Sequence, residues 1–589
     1  MIKSTFLYIT LLAFLLGCNS KDSSTQSQEL QENNTSIETN TTTRTKSALL
    51  VNVEFKSNAV INNRAAYVTS QCYTKTVDEN NQVHNPCFSC HINSKEPNYI
   101  DDADLQTSYD FSEYTKKNRF TNLFKDRTKE VVAQSDKEIL SYVRQNNYKD
   151  ENGTLILKQR LDALPLNWDV NEDSVWNGYT PDCYFDFDAD GFDRDANGEY
   201  TLWRAFAYHP FLGTFWPTNG STDDVLIRLD SLFSQNEAGE FDIEVYKLNL
   251  SIVESLIKET NITIDETNES LYGVDLNQNG VLDMSQEIVF NWQTPEYNTT
   301  TRKIGNFSIS YVGKAKKALE DNSYLIAPGL YPKNTEFLHS VRYIDFDENQ
   351  NVTMASRMKE LRYAKKVSWN SYSQLLNASL AEIKERDAFP ERLRNVQGDS
   401  EKGLQTGLGW VYQGFIEDEN GELRPQNYEE TLYCIGCHSG IGAIADSTFV
   451  YQRKLGFDAH ANGWYHWTQD IKGFTNMREP LTKDGRYEYS LYLSENGAGD
   501  EFRDNEEIFA NYFENGVLKQ DKLDELHGDI SKLILPSAKR ALELNKAYRV
   551  IVEEQSYIYG RDAHVKPVEN VHKELEMGQD TQVDMININ

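Results

Sequence analysis

Past residue 17 the sequence has no apolar run near the roughly 18 residues that a spanning helix needs, so a multi-span helical membrane protein is not expected. Positive charge is scarce: 59 Lys and Arg stand against 91 Asp and Glu, a net charge of −32. A phosphate backbone would be repelled, so no nucleic-acid partner is expected. Adsorption to an anionic lipid surface is disfavoured on the same ground. Such a charge suits a dispersed soluble body that attracts cationic partners. Cysteine, methionine and histidine are also few, at 7, 7 and 10 in 589 residues, so each position carries weight. Core-forming residues are not lacking: 39% of the chain is hydrophobic and 12% aromatic, which excludes wholesale disorder. The length points to two or three domains.

Met1 to Gly17 reads as a signal peptide, with Lys3 in the positive n-region and a mostly apolar stretch from Phe6 to Leu16. It ends Leu15-Leu16-Gly17-Cys18, which resembles a bacterial lipobox. The resemblance implies cleavage before Cys18 and acylation of that cysteine; a plain signal peptide with an incidental cysteine is the alternative. Buried acyl chains contribute about 0.8 kcal/mol per methylene, so Cys18 would be the membrane attachment. Asn19 stands where lipoproteins of the inner membrane tend to carry Asp, which implies an outer-membrane tether in the bacterial cell envelope. Of the 29 residues from 19 to 47, 20 are Ser, Thr, Asn or Gln and none is aromatic. Such a stretch cannot offset its ordering entropy. As a coil it spans roughly 30 Å.

Four of the remaining six cysteines fall into two identical patterns. Cys87-Phe88-Ser89-Cys90-His91 and Cys434-Ile435-Gly436-Cys437-His438 are both C-x-x-C-H, the c-type haem attachment signature. The spacing follows from the chemistry: two thioethers reach the vinyl groups on one porphyrin edge, and the adjacent histidine is the proximal iron ligand. One chance match in such a sequence is expected on the order of 10⁻³ times. A Cys₄ zinc site or a thioredoxin-like redox pair would not require a histidine after both cysteine pairs. The sequence is therefore expected to carry two covalent haem c groups. Cys72 and Cys183 are left over, and in an oxidising compartment they suggest a disulfide, with two free thiols as the alternative.

The expected fold class is α+β, with mainly helical haem segments at both ends of a mixed insert. The boundaries are 1–17 for the signal, 18–47 for the lipidated cysteine and tether, 48–180 for the first haem region, 181–350 for the insert and 351–589 for the second haem region. Helical periodicity predicts helices over Thr128 to Tyr148, Val245 to Lys258, Ser371 to Asp387 and Ser537 to Tyr557. Short β-like runs lie at Tyr200 to Tyr208, Glu287 to Trp292, Phe307 to Val312 and Phe337 to Ile344.

Acidic loops mark the insert. Asp275, Asn277, Asn279 and Asp283 stand in D-x-N-x-N-G-x-x-D, which resembles the first nine positions of an EF-hand-like calcium loop. The twelfth-position Glu is replaced by Gln286, so a shorter calcium turn is the expectation, against an ordinary polar turn. Asp186, Asp188 and Asp190 begin a weaker version, in which Arg194 takes the ninth position.

The function turns on the sixth iron ligand: a second Met or His makes an electron-transfer haem, and an open position makes one that binds oxygen or peroxide. Met477 follows His438 by 39 residues, a separation that resembles small class I cytochromes c; His460 and His466 compete with it. After His91 there is no His until His209 and no Met until Met284. The first haem must therefore use His84, a distant group or none, with His209, His339, Met354 and Met358 as distant candidates. The aromatic run of Trp203, Phe206, Phe211, Phe215 and Trp216 lines a haem edge or builds core. Electron transfer in the envelope, with an unidentified redox partner, is the leading reading. The alternative is an enzyme with one open haem, loosely similar to dihaem cytochrome c peroxidases and oxygenases; no catalytic residue carries over.

Overall fold

The computed structural model describes residues 53–77, 83–91, 96–98, 111–212, 217–448, 453–455, 477–482, 484–496 and 505–575. The described residues belong to one compact unit. At its centre, among the described residues, lies a nine-stranded antiparallel sheet. Its strands are β1 (Phe192–Arg194), β2 (Tyr200–Ala205), β3 (Thr222–Arg228), β4 (Glu336–Phe346), β5 (Val352–Lys366), β6 (Gln397–Asp399), β7 (Gly403–Gln405), β8 (Trp410–Glu417) and β9 (Leu423–Pro425). The order is β6-β7-β8-β5-β4-β3-β2-β1, with β9 also paired to β8.

Side chains alternate between faces along each strand, so the register fixes which residues share a face. Val225, His339, Arg362 and Gly414 form one row across β3, β4, β5 and β8. Asp223, Val341, Glu360 and Ile416 form the row on one side of it, and Ile227, Phe337, Ala364 and Tyr412 the row on the other. The opposite face carries Leu226, Leu338, Leu361 and Phe415, packed under Tyr148, Leu157, Trp168 and Cys183. Burying a side chain of this size contributes about 1.5–3 kcal/mol.

Helices cover the remaining surfaces. The helices are α1 (Asp136–Arg144), α2 (Ile243–Lys258), α3 (Tyr372–Ala388), α4 (Tyr428–Cys437) and α5 (Ala538–Glu554). The Asp242 carboxylate caps α2 by accepting the Glu244 and Val245 amides, and Glu259 ends it in the left-handed region at φ 56°. Helix α5 packs Leu544, Ala547 and Ile551 against Ile416 and Tyr343, with Ile139 and Val143 of α1 on the same cluster.

The α+β class stands, and the α2, α3 and α5 expectations match to within a few residues. Three expectations differ. The sheet does not stop at residue 350, since β4 and β5 pair across that boundary and strands continue to Pro425. The periodic run from Thr128 is broken into Thr128–Val132 and α1, because Ser135 and Glu138 form a capping box that starts a new helix. Phe307 to Val312 is irregular and leads into a helix at Gly313–Glu320; a short apolar run is ambiguous by pattern alone.

Candidate haem-binding site

Helix α4 carries the second motif. Its start is fixed by a capping box in which Asn427 Oδ1 accepts the Glu430 amide at 2.8 Å and Glu430 Oε2 accepts the Asn427 amide at 2.9 Å. Glu430 is also held by two Arg424 bonds at 2.8 and 2.9 Å. Cys434 and Cys437 are three residues apart on this helix and so share a face, and His438 stands at its C-cap. Between them, Gly436 packs on the segment that carries Cys72. A Cβ there would stand 2.4 Å from the Tyr67 carbonyl oxygen and 2.8 Å from Thr69 Cγ2.

The first motif forms a tight turn. Cys87 and Ser89 lie in a 3₁₀ turn, Pro86–Ser89, and the Cys87 carbonyl accepts the amides of Cys90 and His91 at 3.2 and 2.8 Å. Cys87 and Cys434 are 347 positions apart in sequence, yet the turns meet: the Ala443 amide, just after the second motif, donates to the Cys90 carbonyl at 3.0 Å. Asn98 also donates to the Ile444 carbonyl.

The turn and α4 border a largely apolar cleft that is part open to solvent. Cys90, Cys434, Cys437 and His438 line it together with Val225, His339, Arg362 and Tyr412 of the sheet, with Phe206 and Phe211 beside them. His438 stacks on Tyr412 with ring centroids 4.7 Å apart. The Ser447 carbonyl takes a ring N–H of His438 and, at 2.9 Å, the Tyr412 hydroxyl. Burial pushes the pKa of both His91 and His438 down to about 4, so both imidazoles are neutral at pH 7. Burial pushes the thiols up, Cys437 to about 12. At Cys434 burial is opposed by the nearby Arg362 and Arg561 charges. Those arginines share the buried Glu360, at 2.9 and 2.8 Å.

These residues fit a covalently attached porphyrin. The thiols and neutral imidazoles are the donor set that c-type attachment needs, and an apolar wall suits the macrocycle. The buried His91 Nδ1 has no hydrogen-bond partner among the described residues. Cys87, Cys90 and His91 would hold one haem, and Cys434, Cys437 and His438 the other.

A family model described as “-like lipoprotein” matches residues 56–525. The chain is 31% identical over 546 residues to an “Uncharacterized lipoprotein” of Aquifex aeolicus (strain VF5), covering 84% of this chain and 85% of the relative. The chain belongs to this lipoprotein family. No solved structure matches it. No helix of the lipoprotein is long and apolar enough to cross a membrane, among the described residues. Cys18 lies outside them.

Several sequence expectations for the lipoprotein find other places. Met477 is buried with Leu212, Leu455 and Tyr489 in a separate cluster that Met354 also touches, and it does not line the cleft. Met358 is buried on the far face of the sheet. His209 is buried, and its ring N–H is taken by the Arg478 carbonyl rather than turned into the cleft. Burial and the Arg453 and Lys258 charges hold its pKa down to about 3. His460, His466, Phe215, Trp216 and the His84 side chain lie outside the described residues. Trp203 is core on the far face.

The Cys72–Cys183 disulfide is not formed; both thiols are free. The fold separates them: Cys72 lies within electrostatic reach of Cys90 and Cys437, while Cys183 is buried under the opposite face of the sheet. In the loop from Asp275 to Asp283, the Asp275 carboxylate accepts the Asn279 and Gly280 amides at 3.1 and 2.8 Å, and Asp283 accepts the Asn279 side chain. Asp188 is paired with Arg194 at 3.1 Å and Asp190 with Lys247 at 2.9 Å. No group of three or more His, Cys, Asp or Glu able to hold a metal ion is formed among the described residues.

Three residues escaped the sequence reading: Tyr412 against His438, Arg362 beside Cys434, and Gly436 as a packing requirement inside the motif. Arg362 alternates with apolar residues on β5, and a charged residue on a buried face is the signal that marks it.

Proposed function

We propose that this lipoprotein is a dihaem c-type cytochrome that passes electrons in the bacterial cell envelope, tethered through Cys18 to the outer membrane. The observation that carries the reading is the convergence of two C-x-x-C-H turns, 347 positions apart, across one hydrogen bond and beside one apolar cleft. When bound, haem supplies reversible one-electron chemistry at iron. The chain's part is attachment through four cysteines, two neutral imidazoles, and a largely apolar cleft beside them. The enzyme alternative draws on the long stretch after His91 that holds neither His nor Met.

The test is a haem count on the purified protein, followed by a carbon monoxide difference spectrum of its reduced form. Two covalent haems are expected, falling to one in Cys87→Ala and one in Cys434→Ala. A protein that carries no covalent haem refutes the reading. Near-zero carbon monoxide binding supports electron transfer, and one carbon monoxide per two haems moves the conclusion to the enzyme.

A further inference from the structure

We propose that a buried chamber beside the cleft binds one small monovalent anion of halide size, held by Arg561, Tyr548 and Lys359. The chamber is lined from β5, from α5 and from the segment Arg561 to Ala563. Its charged lining is Lys359, Arg362 and Arg561 against Glu360 and Asp562, an excess of one positive charge in a chain of net charge −32. The strand pairing is irregular at this point. Val341 and Arg342 of β4 pair with Glu360 and Met358, so Lys359 is an extra residue on β5. Successive strand residues ordinarily face opposite sides; this bulge lets Lys359 and Glu360 both line the chamber.

Two buried donors in the lining lack an acceptor. Arg561 is 8% exposed and Tyr548 3% exposed. Neither Arg561 Nε nor the Tyr548 hydroxyl has a hydrogen-bond partner among the described residues. The rest of the Arg561 guanidinium is used: Nη1 donates to Glu360 at 2.8 Å and Nη2 to the Glu430 carbonyl. A guanidinium N–H can only donate, and a buried donor left over in this way marks a place for a water or an ion. Charge decides between the two. Lys359 donates to neutral groups, the Gly220 carbonyl at 2.6 Å and the Ser221 hydroxyl at 3.1 Å, with its ammonium 4.1 Å from the centre of the Tyr548 ring. Arg362 and Arg561 share Glu360, at 2.9 and 2.8 Å, so one carboxylate answers two cations. The Asp562 carboxylate accepts the Ser70 hydroxyl at 2.9 Å. A water would accept from Nε but leave the excess charge uncompensated, and a buried charge is costly unless it is paired. An anion accepts from both donors and balances the charge. Gln71, Arg362 and Tyr433 line the cleft as well as the chamber, so the anion would act on the end of the cleft that holds Cys434. The site does not depend on haem being attached.

The experiment uses the purified full chain. Thermal unfolding is followed in sodium chloride, sodium bromide and sodium gluconate at matched ionic strength, and a bromide-soaked crystal is searched for anomalous scattering. A ligand that binds only the folded state stabilises it by mass action, so chloride and bromide should raise the melting temperature to a plateau that gluconate, a much larger anion, does not reach. Tyr548→Phe removes one donor and should need about tenfold more chloride for the same gain. One bromide is expected within hydrogen-bond reach of Arg561 Nε and the Tyr548 hydroxyl. A chamber that holds only water, or a haem propionate in place of bromide, overturns the proposal, as does a Tyr548→Phe variant with the wild-type chloride response. Lys359→Met should abolish that response; should it fail to fold, Tyr548→Phe carries the test. A protein without covalent haem refutes the dihaem reading and leaves the anion site standing, which separates the two failures.

Discussion

Lys366→Met should reveal how the ground behind His438 is held. Lys366 and Asp446 form an ion pair whose side chains are 0% and 1% exposed. The pair closes a two-residue turn in which Ala445 and Thr448 exchange backbone bonds at 3.0 and 2.9 Å, with Asp446 and Ser447 at φ 48° and 64°. Turns of that hand favour Asn-Gly or Asp-Gly, so an Asp-Ser pair is strained and needs an outside hold. Asp446 supplies it by pairing with Lys366 and accepting the Tyr331 amide at 2.9 Å. Ser447 then presents the carbonyl that meets His438 and Tyr412. Burial lowers the Lys366 pKa and raises that of Asp446, so desolvation outweighs their mutual attraction. The intact pair therefore adds little net stability, but breaking it strands a buried carboxylate, at a cost of about 3–5 kcal/mol.

The sign with pH follows. In Lys366→Met the folded pKa of Asp446 rises further above its unfolded value. The variant's stability is then fully present below that unfolded value and is lost as pH rises through the folded one. The penalty should grow by about 1.4 kcal/mol per pH unit across that window. Lys366→Met/Asp446→Asn should recover most of it, because Asn keeps an acceptor for the Tyr331 amide and removes the charge. Urea unfolding followed by circular dichroism at pH 5 and 8 measures both. A penalty below about 1 kcal/mol, equal at the two pH values, would mean that water reaches Asp446 and that charge does not hold the turn.

Two further substitutions probe neighbouring parts of the frame. Gly436→Ala sets helix propensity, which favours Ala by about 1 kcal/mol, against the Tyr67 carbonyl that the new Cβ would strike at 2.4 Å. Backbone cannot yield as a side-chain tip can, so a loss of about 1–3 kcal/mol and a lower yield of covalent haem are expected, and a stabilised variant would contradict the packing. Glu479, whose carboxylate accepts the Ser490 hydroxyl at 3.0 Å, has its pKa pushed up by burial to about 7. Its contribution is present below pH 4.5 and lost as pH rises through 7, a fall of about 3 kcal/mol. Glu479→Gln should flatten that fall, and a variant whose stability still drops between pH 5 and 8 would assign the loss to another group.

The parts of the lipoprotein legible in its sequence are those with a local cause. Val245 to Lys258 shows a helix because its apolar spacing lies within the segment and the Asp242 cap stands just before it, and the two C-x-x-C-H patterns show themselves by spacing alone. What could not be read depends on partners far away in sequence. The 39-residue separation of Met477 from His438 resembles a small cytochrome, but Met477 packs on Tyr489 and Leu493, whose approach no local pattern announces. Cys72 and Cys183 could be paired by elimination, yet the sheet lies between their neighbourhoods. His339 was visible as a polar residue between Phe337 and Val341; which motif it would face depended on the β3-β4-β5 register, which only the assembled sheet supplies.

The size of the chain then has a physical reason that does not require catalysis. A carrier of two haems needs far fewer than 589 residues only if each motif brings its own pocket. Here neither does: the first motif sits in a 3₁₀ turn of four residues and the second on a ten-residue helix. Elements that short cannot bury a large apolar surface by themselves. One wall of the cleft comes from four strands whose facing rows are set by their register, and those strands are covered from behind by the core around Trp168 and Tyr148. A wall that includes His339 and Arg362 among apolar neighbours must also satisfy them, which Asp223 and Glu360 do. The second of these is shared with Arg561 near the chain's other end. Bulk in this lipoprotein is therefore what a cleft assembled from distant segments demands, and size gives the enzyme reading no advantage over electron transfer.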